Sequence, residues 1–166
     1  MKFNFQGLKS IYLHEMDRFR RTLLQSLISP VLSTSLYFIV FGSVIGGYVE
    51  NIDGISYGSY IVPGLLMLTL LTQSVSNTSF GIFFPKFNGT IYEILAAPIS
   101  TFETVLAFVG AGATKTLIVG VVIFITSTFF VDVYVEKPFL MVLLLILVAF
   151  TFALFGFLIG LMSSNF

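Results

Sequence analysis

Three long stretches of this chain carry no charge at all: 22–49, 57–85 and 138–166. A fourth and shorter run, 116–131, follows the single lysine Lys115. Crossing a bilayer core as a helix takes about 20 apolar residues. In lipid, every backbone N–H and C=O must find its partner inside the segment or a closed barrel. Runs of this kind, too long for barrel strands, therefore dictate helices packed side by side in a membrane. Composition agrees, since 57% hydrophobic against 10% charged residues leaves a soluble domain too little polar surface to cover its core. The chain is read as an all-α integral membrane protein forming one domain over 1–166, because no linker, low-complexity tract or internal repeat divides it. The absence of cysteine excludes disulfides and thiolate metal sites. One histidine, His14, and a few scattered acids give no catalytic or metal-binding cluster, and nothing implies a nucleic-acid partner.

Transmembrane helices are expected near 26–47, 59–82, 112–131 and 139–162. Lys115 decides the third placement. A lysine at mid-bilayer costs about 2.5–3.5 kcal/mol, whereas each Leu, Ile, Phe or Val returns only about 0.3–0.6 kcal/mol. Starting the span near Gly112 leaves Lys115 one turn from the interface, where its stem can snorkel. Starting it near Phe102 would bury the charge. Residues 101–111 then become a helical lead-in. Pro30 falls in the first turns of the first span, and Pro63 with Gly64 suggests a bent start to the second. Gly42 with Gly46, and Gly156 with Gly160, have the spacing that lets two helices approach closely. The second half of the second span is unusually polar: Thr69, Thr72, Gln73, Ser74, Ser76, Asn77, Thr78 and Ser79. Such groups line a substrate path or hydrogen-bond between packed helices, and the pattern alone leaves both open.

Residues 3–24 place Phe5, Leu8, Tyr12, Met16, Phe19 and Leu23 at helical spacing, with Ser10, His14, Asp17, Arg18, Arg20 and Arg21 on the other side. This suits an amphipathic helix in the membrane interface. A secretory signal peptide fits less well, because the following apolar run is too long and offers no small-residue cleavage site. With the N-terminus cytoplasmic, Lys2, Lys9, Arg18, Arg20, Arg21, Lys86 and Lys115 lie inside and only Lys137 outside. That is a strong positive-inside bias. Tyr48, Tyr57, Tyr60, Phe129, Phe130, Tyr134 and Phe139 then gather at the outer boundary as an aromatic belt. The chain is expected to be a multi-pass protein of the plasma (inner) membrane.

Between the second and third spans lies FNGTIYEILAAPIS (87–100), a short and mildly amphipathic stretch with lipid-buried flanks. A Gly before helix-compatible residues and Pro98 after them mark a surface helix with defined ends. Ile91, Ile94 and Leu95 fall on one face, with Thr90 and Glu93 elsewhere. Other strings carry less. VGAGATKT (109–116) looks like a phosphate-binding loop, but Thr114 stands where the pattern needs glycine before lysine. Packing of small residues explains that string better, so no nucleotide hydrolysis is expected of this chain. The glycosylation sequons at Asn77 and Asn88 fall in a span and on the cytoplasmic side. Glu103 and Lys115 are too far apart along a helix to pair with each other.

The chain resembles the permease subunits of ABC-2-type exporters. The resemblance is carried by NGTIYEILAAPIS (88–100), by YIVPGLL (60–66) at the start of the second span, and by the small residues around one lysine at the start of the third. It implies a dimer of permease chains in the lipid bilayer, paired with ABC ATPase subunits that bind the ATP and Mg; this chain itself would bind no cofactor. The cytoplasmic helix, called the coupling helix in that family, would dock on the ATPase through Gly89, Thr90, Ile91, Tyr92, Glu93, Leu95 and Pro98. Thr72, Gln73, Ser76 and Asn77 would line the substrate path or pack helices. Two features depart from the family pattern. Lys86 is the only charge just before the Gly-Thr pair, which favours apolar docking. The family usually has six spans and four are present, so an N-terminal fragment or truncated product is expected.

The expected function is outward movement of an amphipathic substrate, such as a drug or a lipid-linked polysaccharide. The alternative is a four-span scaffold or assembly subunit that transports nothing. A proton-driven carrier is disfavoured, because no acid lies in 57–85 or after Pro138.

Overall fold

Thr22 divides the first two helices. The computed structural model describes residues 3–45, 51–52, 55–133 and 135–163. Helix α1 (Phe5–Arg21) starts where the Asn4 side chain accepts the Gly7 N–H at 3.0 Å, and it ends on Arg18, Arg20 and Arg21, cations suited to a helix C-terminus. The Thr22 hydroxyl turns back to the carbonyls of Arg18 and Phe19, and α2 (Leu23–Tyr37) sets off anew. Pro30 lies within α2 rather than at its start. Over Phe38–Ile45 the helix widens into π-type turns. Asn51–Ile52 (β1) and Ile55–Ser56 (β2) pair as a minimal antiparallel ladder at the mouth of α3 (Tyr57–Phe87). After the short α4 (Ile91–Ala96) come α5 (Thr101–Ser127) and α6 (Pro138–Met162).

Among the described residues, four helices are long and apolar enough to cross a membrane: Leu23–Phe41, Tyr57–Phe87, Thr101–Ser127 and Pro138–Met162. The protein is thus an all-α membrane protein. The third of these runs without a break from the expected lead-in, at Thr101, into the apolar run. Its start is fixed by a reciprocal cap, in which Ser100 accepts the Glu103 N–H and Glu103 accepts the Ser100 N–H. Lys115 therefore sits mid-helix. Its charge is met by Glu15 of α1, at 2.7 Å. Gly42 and Gly46 cannot be compared with their expected packing role: Gly46, with Tyr48 and Tyr134 of the aromatic belt, lies outside the described residues.

The bundle is centred on α3. Against it α5 runs antiparallel, with Gly112 beside Thr78, Gly120 beside Leu70, and Gly58 beside Val131. The Ser59 hydroxyl donates to the Asp132 carbonyl at 2.9 Å, tying the far ends of these two helices. α6 runs parallel to α3, and here the small-residue spacing does what its pattern implied. Gly156 lies against the Val75 backbone and Gly160 against that of Ser79, while Ala149 and Ala153 are fully buried on the same side. Ser74 Oγ donates to the Ala149 carbonyl at 2.6 Å. Lys86 then donates to the carbonyls of Gly160, Leu161 and Ser163 at 2.7–3.3 Å, satisfying groups that a helix C-terminus otherwise leaves bare. Ile82, Phe108, Val109, Ala113 and Phe157 complete the core between the three helices, with the Phe108 and Phe157 rings 6.2 Å apart.

Candidate functional site

One end of the bundle gathers the C-termini of α3 and α6, the whole of α4, and the starts of α5 and α1. Gly89, with φ of 78°, occupies the left-handed region that side chains other than glycine rarely adopt, and it turns the chain out of α3. The Gly89 and Thr90 carbonyls accept the N–H groups of Tyr92 and Glu93 at 3.1 Å, starting α4 without a side-chain cap. Ala97 is extended and ends it. The helix is thus six residues long, much shorter than the 87–100 segment that contains it.

Its faces also sort differently from expectation. Ile91 and Ile94 pack on the core, whereas Leu95 is 72% and Tyr92 73% exposed. Fewer than two turns rest on the bundle, and successive residues lie about 100° apart on a helix, so only two side chains reach inward. Of the residues expected at the partner contact, Thr90, Tyr92, Glu93, Leu95 and Pro98 are exposed and Gly89 is half-buried. Ile91 belongs instead to the inner face.

Helix α1 lies along the first half of α5. The Asn4 backbone N–H donates to Glu103 Oε1, and Asn4 Nδ2 donates to the Pro98 carbonyl at 3.1 Å. Gly7 sits so close to Ile99 that an added Cβ would lie 2.8 Å from its side chain. Further along, Tyr12 Oη donates to Thr114 Oγ1 at 3.1 Å. Beyond that, Lys115 Nζ donates to Glu15 Oε2 at 2.7 Å, with both side chains no more than 4% exposed. Arg18 reaches the same oxygen at 2.9 Å, its guanidinium 5.7 Å from the Phe84 ring centre. Glu103 and Lys115 do not meet, as expected from their spacing, yet each has a partner on α1. Glu15 was not singled out from the sequence. The available signal was an acid beside the apolar stripe of an amphipathic helix, matched by one unpaired lysine in an otherwise apolar span.

A groove of about 240 Å³ opens between α2 and α3. Ser29, Pro30, Ser33, Thr34 and Tyr37 line one wall; Leu65, Leu68, Thr69, Thr72 and Gln73 line the other. Every polar group in it is neutral. Thr72 and Gln73 therefore share the groove, while Ser76 is exposed a turn further on. Asn77 is half-buried, with its Nδ2 buried and lacking a hydrogen-bond partner among the described residues. Ser74 and Thr78 point the other way, into the contacts with α6 and α5. The polar half of α3 thus has two faces, one for helix packing and one open to a groove.

The family model for the ABC-2 type transporter matches residues 6–166. The inner membrane transport permease YadH of Escherichia coli strain K12 is 37% identical over 166 residues, which is 100% of this chain and 65% of that protein. The permease of the same name from Shigella flexneri matches equally, at 37% identity over the same shares. The chain thus spans 65% of the length of these relatives. None of the solved structures gives a significant match.

Proposed function

This chain belongs to the ABC-2 type transporter family, and from that membership we propose that it is the membrane permease part of an ATP-driven exporter energised through α4. Membership and the long apolar helices support a transporter membrane subunit, and the inner-membrane permeases it is similar to support the same location. ATP and Mg would be held by a separate ATPase, and a second permease copy would complete the path. Placing the N-terminus in the cytoplasm puts seven of the eight basic residues on the side of α4.

The observation that carries this reading is the division of α4 into two faces. Ile91 and Ile94 anchor it to the core, and Tyr92 and Leu95 stand free beside the acidic Glu93. An exposed aromatic next to an exposed leucine, on a short helix fixed at both ends, is a docking knob. Force applied there passes through Pro98 and Ile99 into the uninterrupted α5. The groove between α2 and α3, with Thr72 and Gln73, is the part of the path contributed by one chain, and its neutral hydrogen-bonding lining suits an amphipathic substrate.

Tyr92→Asp and Leu95→Asp test the reading. Loss of a well-packed aromatic anchor costs about 2 kcal/mol or more, some thirtyfold in affinity. Either variant should lose co-purification with the partner ATPase while inserting and melting as wild type does. Ile94→Asp, by contrast, should destabilise the chain itself, because its carboxylate would be forced toward the core. Retained ATPase binding in both exposed-face variants would refute the docking role and favour a non-transporting scaffold.

A further inference from the structure

Resting on the reading that α4 receives force from an ATPase, we propose that α1 and α5 form a single rigid lever, clamped at two points by Asn4–Glu103 and Glu15–Lys115. The clamps are separated by similar lengths of both helices: about 16 Å along α1 and about 18 Å along α5, at 1.5 Å per residue. Two attachments so spaced prevent α1 both from sliding along α5 and from swinging away from it. Tyr12 on Thr114 fills the interval.

The upper clamp is electrostatic and buried. Glu15 answers the charge of Lys115, which would otherwise stand unpaired within a span, and Arg18 closes over the same oxygen. Removing one partner leaves a buried, uncompensated charge, whereas neutralising both is tolerated far better. The lower clamp reaches the segment that leaves α4. Asn4 holds the Pro98 carbonyl as well as Glu103, and Gly7 abuts Ile99. Displacement of α4 therefore meets α1 before it meets the membrane half of α5. In this arrangement α1 is carried with the arm, and Glu15 and Lys115 are positioning residues that join them.

Spin labels at exposed positions test the lever in proteoliposomes holding the permease with its ATPase. One pair, Lys9→Cys with Phe102→Cys, spans α1 and α5. A second, Lys9→Cys with Met162→Cys, spans α1 and α6. The first distance should be narrow and unchanged between nucleotide-free and ATP–vanadate states, while the second changes. In a Glu15→Gln, Lys115→Gln background, which leaves no unpaired buried charge, the first distribution should at least double in width even without nucleotide, with ATPase co-purification retained. A first distance that shifts with nucleotide in the wild-type background overturns the lever, and so does an unchanged width in the double variant. Loss of ATPase binding in the wild-type background would instead refute the role of α4, and the nucleotide-free width would still decide the clamp.

Discussion

Gly156→Ala adds a single methyl group where α6 meets the backbone of α3. Its Cβ would lie 2.5 Å from the Val75 carbonyl oxygen, 2.8 Å from Cα and 3.0 Å from the carbonyl carbon. Ordinary contact begins at 3.4 Å, so α6 would have to retreat by about 0.9 Å from a backbone that cannot rotate out of the way. Overpacking of this sort costs about 1–3 kcal/mol. The Ser74 bond to the Ala149 carbonyl lies on the same seam, and straining it adds up to about 1 kcal/mol. Alanine returns about 0.8–1 kcal/mol through its better helix propensity. The balance is a loss of about 0–3 kcal/mol, centred on about 1.5 kcal/mol. Gly64→Ala is the matched control, because it meets nothing within 4 Å and should be neutral or gain up to about 1 kcal/mol. Unfolding in mixed micelles of rising SDS content, followed by far-ultraviolet circular dichroism, reads both variants. A Gly156→Ala protein that gains as much stability as the Gly64→Ala control would refute the parallel backbone contact of α3 and α6.

Two further outcomes follow from the same seams. Lys86→Met should fray the last turn of α6, with a loss of about 0.3–1 kcal/mol, or up to about 2 kcal/mol in a partly buried setting; hydrogen exchange should show lost protection at 160–163, and Lys86→Arg should restore part of it. A water-soluble maleimide should label Thr72→Cys and Gln73→Cys in the groove while sparing Ser74→Cys at the α6 contact, and equal protection of all three would refute the two-faced reading of α3.

The spans were legible because charge-free runs have only one economical structure in lipid, and the glycines of α6 were legible because a four-residue repeat of small side chains has a geometric use. The partner of Lys115 was not. Lys115 reads as a lone charge, while Glu15, which meets it, lies 100 residues earlier. No local pattern reports a pairing at that separation. The existence and rough location of α4 could be read from Gly89 and Pro98, yet its inner face could not. With six residues, the surface beneath the helix decides which side chains are buried, and Ile94 rather than Leu95 found the core.

The notches that Gly156 and Gly160 cut into α6 also constrain how this bundle deforms. Helices meshed at the level of their carbonyls cannot shear past one another without first parting, so α3 and α6 stand as a fixed jamb. Helix α2, which buries only Pro30 and Thr34 along its length and breaks from α1 at Thr22, is the leaf hung beside it. Along that edge α2 and α3 part around the groove instead of meshing.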